Sequence, residues 1–408
     1  MFAKSWASCA RAGRNVGEFA VVAIVLKGLA WDHRRCWGPL DAYARRLKAA
    51  DRPVQIEWRR RSLYEFGEAP LEDVLRDYDL VVFDHPFVGD AAQSALLAPF
   101  DDHLSPVNRR RFEADSVGKS WVSYQARGKQ WALPIDAAAQ VASFRPDLMP
   151  PGEEPPATYE ELIGFAKRLI ALGKRIGLPL APTDAMCLLL TFAAIAGEQA
   201  GERGGFLPLA AIEDAVGRLK ELARLAHPSS PEWNPIACYE HMIAADDVVY
   251  TPYAFGYVTY AARAGAPFLK FANIPASPPA GSLLGGAGIG VSAHSRNVSA
   301  AIECALALCA PDYQRGDYVG NGGQPGSLAA WRDQNVNAAT RGFFMDTLAT
   351  LEKAYLRPTH PGFVAFFRDA STRVQRAILE GGDLKELSAW LDRRYEAIAP
   401  TPANGGAP

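Results

Sequence analysis

Two stretches of this chain read as extended crossings between separate bodies, and they constrain its fold more than any other feature. The first, residues 131–140, runs Trp-Ala-Leu-Pro-Ile-Asp-Ala-Ala-Ala-Gln after a loop holding Gly128. Pro134 has no N–H to give a strand ladder and biases Leu133 towards extended backbone, which predicts an exposed extended segment. The second, residues 281–292, sets five glycines among apolar residues. Two such crossings imply two lobes joined by a hinge, and hinged lobes close on ligands.

At 408 residues the chain can fill roughly two to three ordinary domains, each with its own core. Its apolar fraction of 49% and charged fraction of 22% are those of a globular protein. A net charge of −2 argues against a nucleic-acid partner, which would need a basic surplus. The runs Arg59-Arg60-Arg61 and Arg109-Arg110-Arg111 read as solvated faces. Six cysteines show neither CxxC spacing nor a paired histidine pattern, so a zinc site is unsupported. Cys187, Cys304 and Cys309 lie in apolar runs and read as small buried hydrophobes. The apolar run at 19–26 is eight residues long, far short of the roughly 18 needed to span a bilayer. It is also a poor secretory leader, since Glu18 and Lys27 bracket it and no small-residue cleavage site follows.

Along the chain, residues 1–17 read as a loose arm and 20–29 as a buried strand. A helix follows, with Leu40, Tyr43, Ala44 and Leu47 at i, i+3, i+4 and i+7. A strand at 54–58, a helix at 71–78 and a strand at 80–83 complete a β-α-β-α-β start, the pattern of an open parallel sheet with ligands at the carboxyl ends of its strands. Thr158 and Glu161 form a capping box ahead of Leu162, Phe165 and Leu169. Helices at 185–197 and 211–226, a strand at 248–250, an aromatic-rich helix reaching Ala264 and a strand at 268–271 suggest a second α/β unit. Helix 299–309, a turn at 321–326 and a helical C-terminal region follow. In that region Phe363, Phe366, Phe367, Ala370 and Val374 share a face, and Asp383 with Glu386 caps the final helix.

This order resembles family 1 of the extracellular solute-binding proteins of ABC importers, mostly carbohydrate binders. The likeness rests on the strand-helix-strand start, the Trp-Ala-Leu-Pro crossing and the capped helix at Thr158. It extends to Leu-Leu-Gly-Gly-Ala-Gly-Ile-Gly-Val at 283–291, Ser295-Arg296-Asn297 before an alanine-rich helix, and Ala-Ile-Leu-Glu-Gly at 377–381. It covers the chain from about residue 18 and is one of rhythm rather than of a signature motif. The resemblance implies an α/β, two-lobed periplasmic-binding-protein-like (type II) fold, each lobe an open, mostly parallel sheet flanked by helices. The lobes would be 18–135 with 287–330 and 136–286 with 331–400, leaving 401–408 as a tail. It implies a monomer without cofactor or catalysis, which captures a sugar, polyol or related solute for an importer in the membrane on the periplasmic side. Without a leader in the sequence, a cytoplasmic metabolite sensor or an enzyme is the alternative.

Residues after strand ends are the candidate ligand contacts. Trp31, Asp32 and His33 follow the first strand, and Asp84 and His85 the third. The carboxylates can accept hydroxyl hydrogens, the imidazoles can donate or accept, and Trp31 can stack on a sugar face. The alternatives are a helix cap at Asp32, a turn acid at Asp84, and a metal site from both Asp-His pairs. Tyr250, Tyr253, Phe255 and Tyr257 put four aromatic rings near one strand end, and the tyrosines offer apolar faces with polar tips. Asp136 can reach a cleft from the first crossing, Gly286 with its glycine neighbours lets backbone approach a ligand, and Gln324 offers an amide. The glycines do not have GxGxxG spacing, and GxSxG, Walker and HExxH motifs are all missing, so dinucleotide binding and catalysis are not expected.

Overall fold

Parallel and antiparallel strands share one eight-stranded sheet in the computed structural model, which describes residues 23–202, 205–276 and 280–399. The strands are β1 (Ile24–Trp31), β2 (Val54–Arg61), β3 (Leu80–Phe83), β4 (Gln125–Ala126), β5 (Lys129–Gln130), β6 (Leu133–Phe144), β7 (Arg175–Ile176), β8 (Val248–Phe255), β9 (Lys270–Ala272) and β10 (Leu284–Val291). The sheet order is β2-β1-β3-β10-β6-β8-β7, with β9 also on β6 and β4-β5 a separate hairpin. β1 is parallel to β2 and β3, β7 is parallel to β8, and β6 and β10 run antiparallel to their neighbours.

Both expected crossings are present, as adjacent strands. β6 changes partners along its length: Leu133–Ala139 faces β10, whereas Gln140 to Phe144 pairs with β8 and β9. It is not exposed: its residues are buried from Leu133 to Ser143, and its second half has β8 on one edge and β9 on the other. Pro134 is accommodated beside a register break at Ala287/Gly288, where the ladder is already interrupted. Each lobe of this α/β, two-lobed architecture thus hangs from the same two strands.

Helix Arg34–Ala49, helix Tyr159–Ala171 behind Thr158, and the C-terminal helices Phe363–Leu379 and Leu384–Glu396 lie where periodicity and capping place them. Two segments differ. Residues 71–78 hold only a 3-10 turn, Leu71–Asp73, because the helix after β2 starts earlier, at Leu63–Glu68, behind a complete Ser62/Glu65 capping box. The aromatic run after Val248 is strand as far as Phe255, and only Val258–Ala261 is helical. Its β-prone residues Tyr250, Thr251, Tyr253 and Phe255 form a strand buried on both faces, which periodicity alone does not separate from a buried helix. The expected arm and tail lie outside the described residues. Among the described residues, no helix is long and apolar enough to cross a membrane.

Candidate functional site

A cavity of about 500 Å³ lies between the lobes. One wall comes from Trp31 at the end of β1, Arg35 in the following helix, Tyr64, Phe66 and Glu68 of helix Leu63–Glu68, and Asp84 after β3. The other wall comes from Thr183, Asp184 and Cys187 of helix Pro182–Ile195, from Asn234, and from Phe255 and Tyr257. Ala138 of β6 and Gly285 and Gly286 of β10 line it from the hinge, and Arg357 and Arg368 add cations from the C-terminal region. The walls meet: Thr183 Oγ1 donates to Glu68 at 2.8 Å, and Arg35 Nη1 donates to the Gly256 carbonyl at 2.9 Å.

Two buried ion pairs frame the space. Arg35 grips Asp136 with Nε at 2.7 Å from Oδ2 and a second bond from Nη2 to Oδ1, and its guanidinium lies 4.7 Å from the Tyr257 ring centroid. Arg357 Nη2 donates to both oxygens of Asp84, at 3.0 and 2.8 Å. Burial works against the Asp84 charge, yet Arg357 and the adjacent His85 outweigh it and hold the carboxyl at about 2. The imidazoles are kept neutral. Burial, then Arg357, lowers His85 to about 4, and burial, then Arg35, lowers His33 to about 4.

These histidines give a signed pH prediction. Between pH 6.5 and 4 these two rings take up protons in the unfolded chain that they refuse in the folded one, so their contribution to stability is full above 6.5 and is lost as pH falls through 4. Read as the difference between the parent and a variant lacking one ring, which cancels every other titrating group, urea unfolding at pH 7 and 4.5 should assign each ring a loss on the order of 2 kcal/mol. His33→Asn keeps a helix cap and removes one ring, so its pH slope should be visibly shallower than the parent's. An equal slope would mean His33 titrates normally in the folded protein.

Of the expected contacts, Trp31, Asp84, Tyr257 and Gly286 line the cavity. The others do not, each for a physical reason. Asp32 is largely exposed and sits 3.9 Å from Arg60. His33, not Asp32, caps the next helix, accepting from Arg35 N at 3.1 Å, and its ring meets the edge of Tyr257. His85 is buried behind Asp84. Asp136 is taken up by Arg35. Tyr250 packs on Phe165, and Tyr253 packs on Phe192 while donating to the Pro275 carbonyl at 3.2 Å. Gln324 serves the hinge: Nε2 donates to Ala137 O at 2.8 Å and Oε1 accepts from Val258 N at 3.1 Å.

Arg35, Tyr64, Asp184, Asn234 and Arg357 are wall residues that strand-end reasoning passes over. Arg35 follows a strand end but is one of two adjacent arginines. Asp184 had a usable signal, an acid in the first turn of a helix with no capping side chain before it. Arg357, from the far end of the chain, had none.

The two Asp-His pairs do not come together as a metal site. Among the described residues, the cluster with converging ligand atoms is His227, His241 and Asp247. Asp247 bonds both rings, at 3.2 and 2.7 Å, and His227 Nδ1 accepts from Ser229 N at 3.2 Å. That bond leaves the His227 proton on Nε2, the atom a metal would need, so the cluster is already satisfied without one.

Two lobes hung on shared strands, with a polar and aromatic cleft between them, define a two-lobed binding-protein architecture. The chain belongs to the bacterial extracellular solute-binding proteins, whose family model it matches over residues 71–338. No curated protein sequence matches it. Among solved structures it is similar to maltose-bound MalE3 of T. maritima, with TM-score 0.78 and 15% identity over 92% of this chain and 100% of that one. A solute-binding protein of Agrobacterium radiobacter in complex with ribitol has TM-score 0.76 and 16% identity, over 91% and 99% of the two chains. One of Thermotoga lettingae bound with α-D-tagatose has TM-score 0.75 and 17% identity, over 92% and 100%.

Proposed function

We propose that this solute-binding protein captures a small hydroxylated solute, a sugar or polyol, between its lobes and presents it to an ABC importer. In this reading the protein acts outside the cytoplasm, as a monomer and without catalysis. The lobes are 18–135 with 287–330 and 136–286 with 331–400. The observation that carries the reading is the cleft between the lobes, whose aromatic rings can cover sugar faces while Asn234 and backbone at Gly286 offer polar partners. Similarity to proteins described with maltose, ribitol and tagatose adds support. A ligand that touches both walls favours closure, because only differential contact with the two states shifts their balance.

A thermal-shift screen of sugars and polyols on unfolded and refolded protein tests this. A ligand at about 100 times its dissociation constant adds about 2.7 kcal/mol, a clear rise in melting temperature. A flat response across the panel would overturn the reading. Tyr64, 67% exposed at the cavity wall, is the informative variant. Tyr64→Ala should weaken binding of any hit by roughly tenfold, the value of one aromatic face. The melting of the ligand-free protein should stay unchanged, since no packed core is lost. Undiminished affinity in this variant would place the ligand elsewhere.

A further inference from the structure

The cavity has six ionisable side chains of the carboxylate and guanidinium types on its wall: Arg35, Glu68, Asp84, Asp184, Arg357 and Arg368. Five have partners within the protein. Arg35 is bonded to Asp136 and Arg357 to Asp84, Glu68 accepts from Thr183, and Arg368 lies 3.8 Å from Asp369. Asp184 is the exception: it is 7% exposed and its carboxylate makes no hydrogen bond or ion pair among the described residues. It does not serve its own helix either. An acid three residues past the N-cap commonly folds back on the cap's N–H, yet here the N-cap is Ala181 and no side chain makes a capping bond. The Asp184 oxygens are not sealed in packed protein, as the unpartnered Trp31 Nε1 and Arg357 Nε are, but keep surface towards the cavity, where a ligand can supply the partner the protein does not.

We infer that Asp184 is the anionic subsite for a cationic nitrogen on the ligand, so that the solute is a hydroxylated molecule bearing a primary ammonium group, an amino sugar or amino polyol. This inference rests on the sugar or polyol reading of the cavity and narrows it. Once the five partnered groups are set aside, a single cation is the complement the wall lacks. An ammonium desolvated against a carboxylate makes a charge-assisted bond about twice as strong as a neutral one. The first turn of a helix also favours the ionised form of an acid.

Burial alone raises the Asp184 carboxyl to about 8, so without a cationic partner it is mostly protonated at neutral pH. Two further wall groups, Cys187 and Tyr257, are also raised by burial and stay protonated, and the exposed Tyr64 phenol shares the wall with them. Binding an ammonium ion at pH 7 therefore drives the Asp184 proton into solvent while the ligand keeps its own charge. The same burial has a sign in stability. The folded state binds this proton more tightly than the unfolded chain, so stability present below pH 4 is lost as pH rises towards 8. Asp184→Asn removes that loss and should melt no lower than the parent at pH 5 and higher than it at pH 8.

The test is calorimetric titration of the refolded full chain at pH 7 in two buffers of different ionisation enthalpy. Matched probes differ only in hydroxyl or amine: ribitol against 1-amino-1-deoxyribitol, and glucose against glucosamine. The amine should bind at least about tenfold tighter in one or both pairs. Its binding should release up to about one proton, and Asp184→Asn should abolish both the preference and the release. Equal or tighter binding of the hydroxyl member, or proton release that survives in Asp184→Asn, overturns the ammonium subsite and leaves the hydroxylated-solute reading standing. If neither member of either pair binds, that reading falls and the subsite with it. Melting of the variant at or above the parent shows that a loss of preference is not a loss of fold.

Discussion

Arg35→Met is expected to lower the unfolding free energy by about 3–5 kcal/mol, because it leaves the Asp136 carboxylate buried without a counter-charge. Asp136 lies in the crossing strand β6, and Arg35 lies in the first turn of the helix after β1. Arg35 also donates to the Gly256 carbonyl, so one side chain ties the first lobe to the hinge and to the second lobe. Equilibrium urea unfolding measures the loss. The double variant Arg35→Met/Asp136→Leu should recover most of it, because an apolar pair of similar volume avoids the desolvation cost of both ions. A double variant as unstable as Arg35→Met alone would mean that the Gly256 and Tyr257 contacts, rather than the ion pair, hold this region.

Gly286→Val should have an effect of similar size for a different reason. Gly286 has φ +112°, a conformation that β-branched residues rarely adopt. A Cβ placed there would lie 2.5 Å from the Asp136 carbonyl oxygen and 2.9 Å from Ala137 Cα on the facing strand. The neighbour is backbone in a buried strand, so relief requires β6 and β10 to separate at the hinge. We expect a loss of about 3 kcal/mol or more in the same urea assay, from strain at the residue together with overpacking. Ligand binding should fall as well, because Gly286 lines the cavity. Gly286→Ala should show the same direction with a smaller magnitude. Wild-type stability in Gly286→Val would mean that β6 and β10 yield at low cost, contrary to a hinge defined by close strand contact.

Both predictions concern the crossings, which the sequence made visible. Pro134 and the clustered glycines of 281–292 are local signals, and each marks a place where regular ladder geometry is interrupted. The Thr158 helix and the C-terminal amphipathic pair were equally legible, since capping and a 3.6-residue apolar stripe depend only on near neighbours. The run from Tyr250 to Phe255 was harder. A strand buried on both faces has no alternation to read, and Tyr253 belongs to a core that residues far away complete.

For the site, sequence located regions better than side chains. Trp31, Asp84, Tyr257 and Gly286 line the cavity because strand ends and the hinge form its walls. Asp136, His85 and Gln324 are as polar and lie as close in sequence to those walls, yet each is bound to protein. Their partners Arg35, Arg357, Ala137 and Val258 stand 101, 272, 187 and 66 residues away.

The sequence by itself therefore determined the two-lobed α/β plan, its hinge and its family, because those follow from local backbone preferences and their order. Only the tertiary structure decided which polar groups are satisfied by the protein and which, like Asp184, are left for a ligand. Hydrogen bonds and ion pairs are saturable and short-ranged, so a side chain's availability depends on partners brought close by folding, and no local pattern records them.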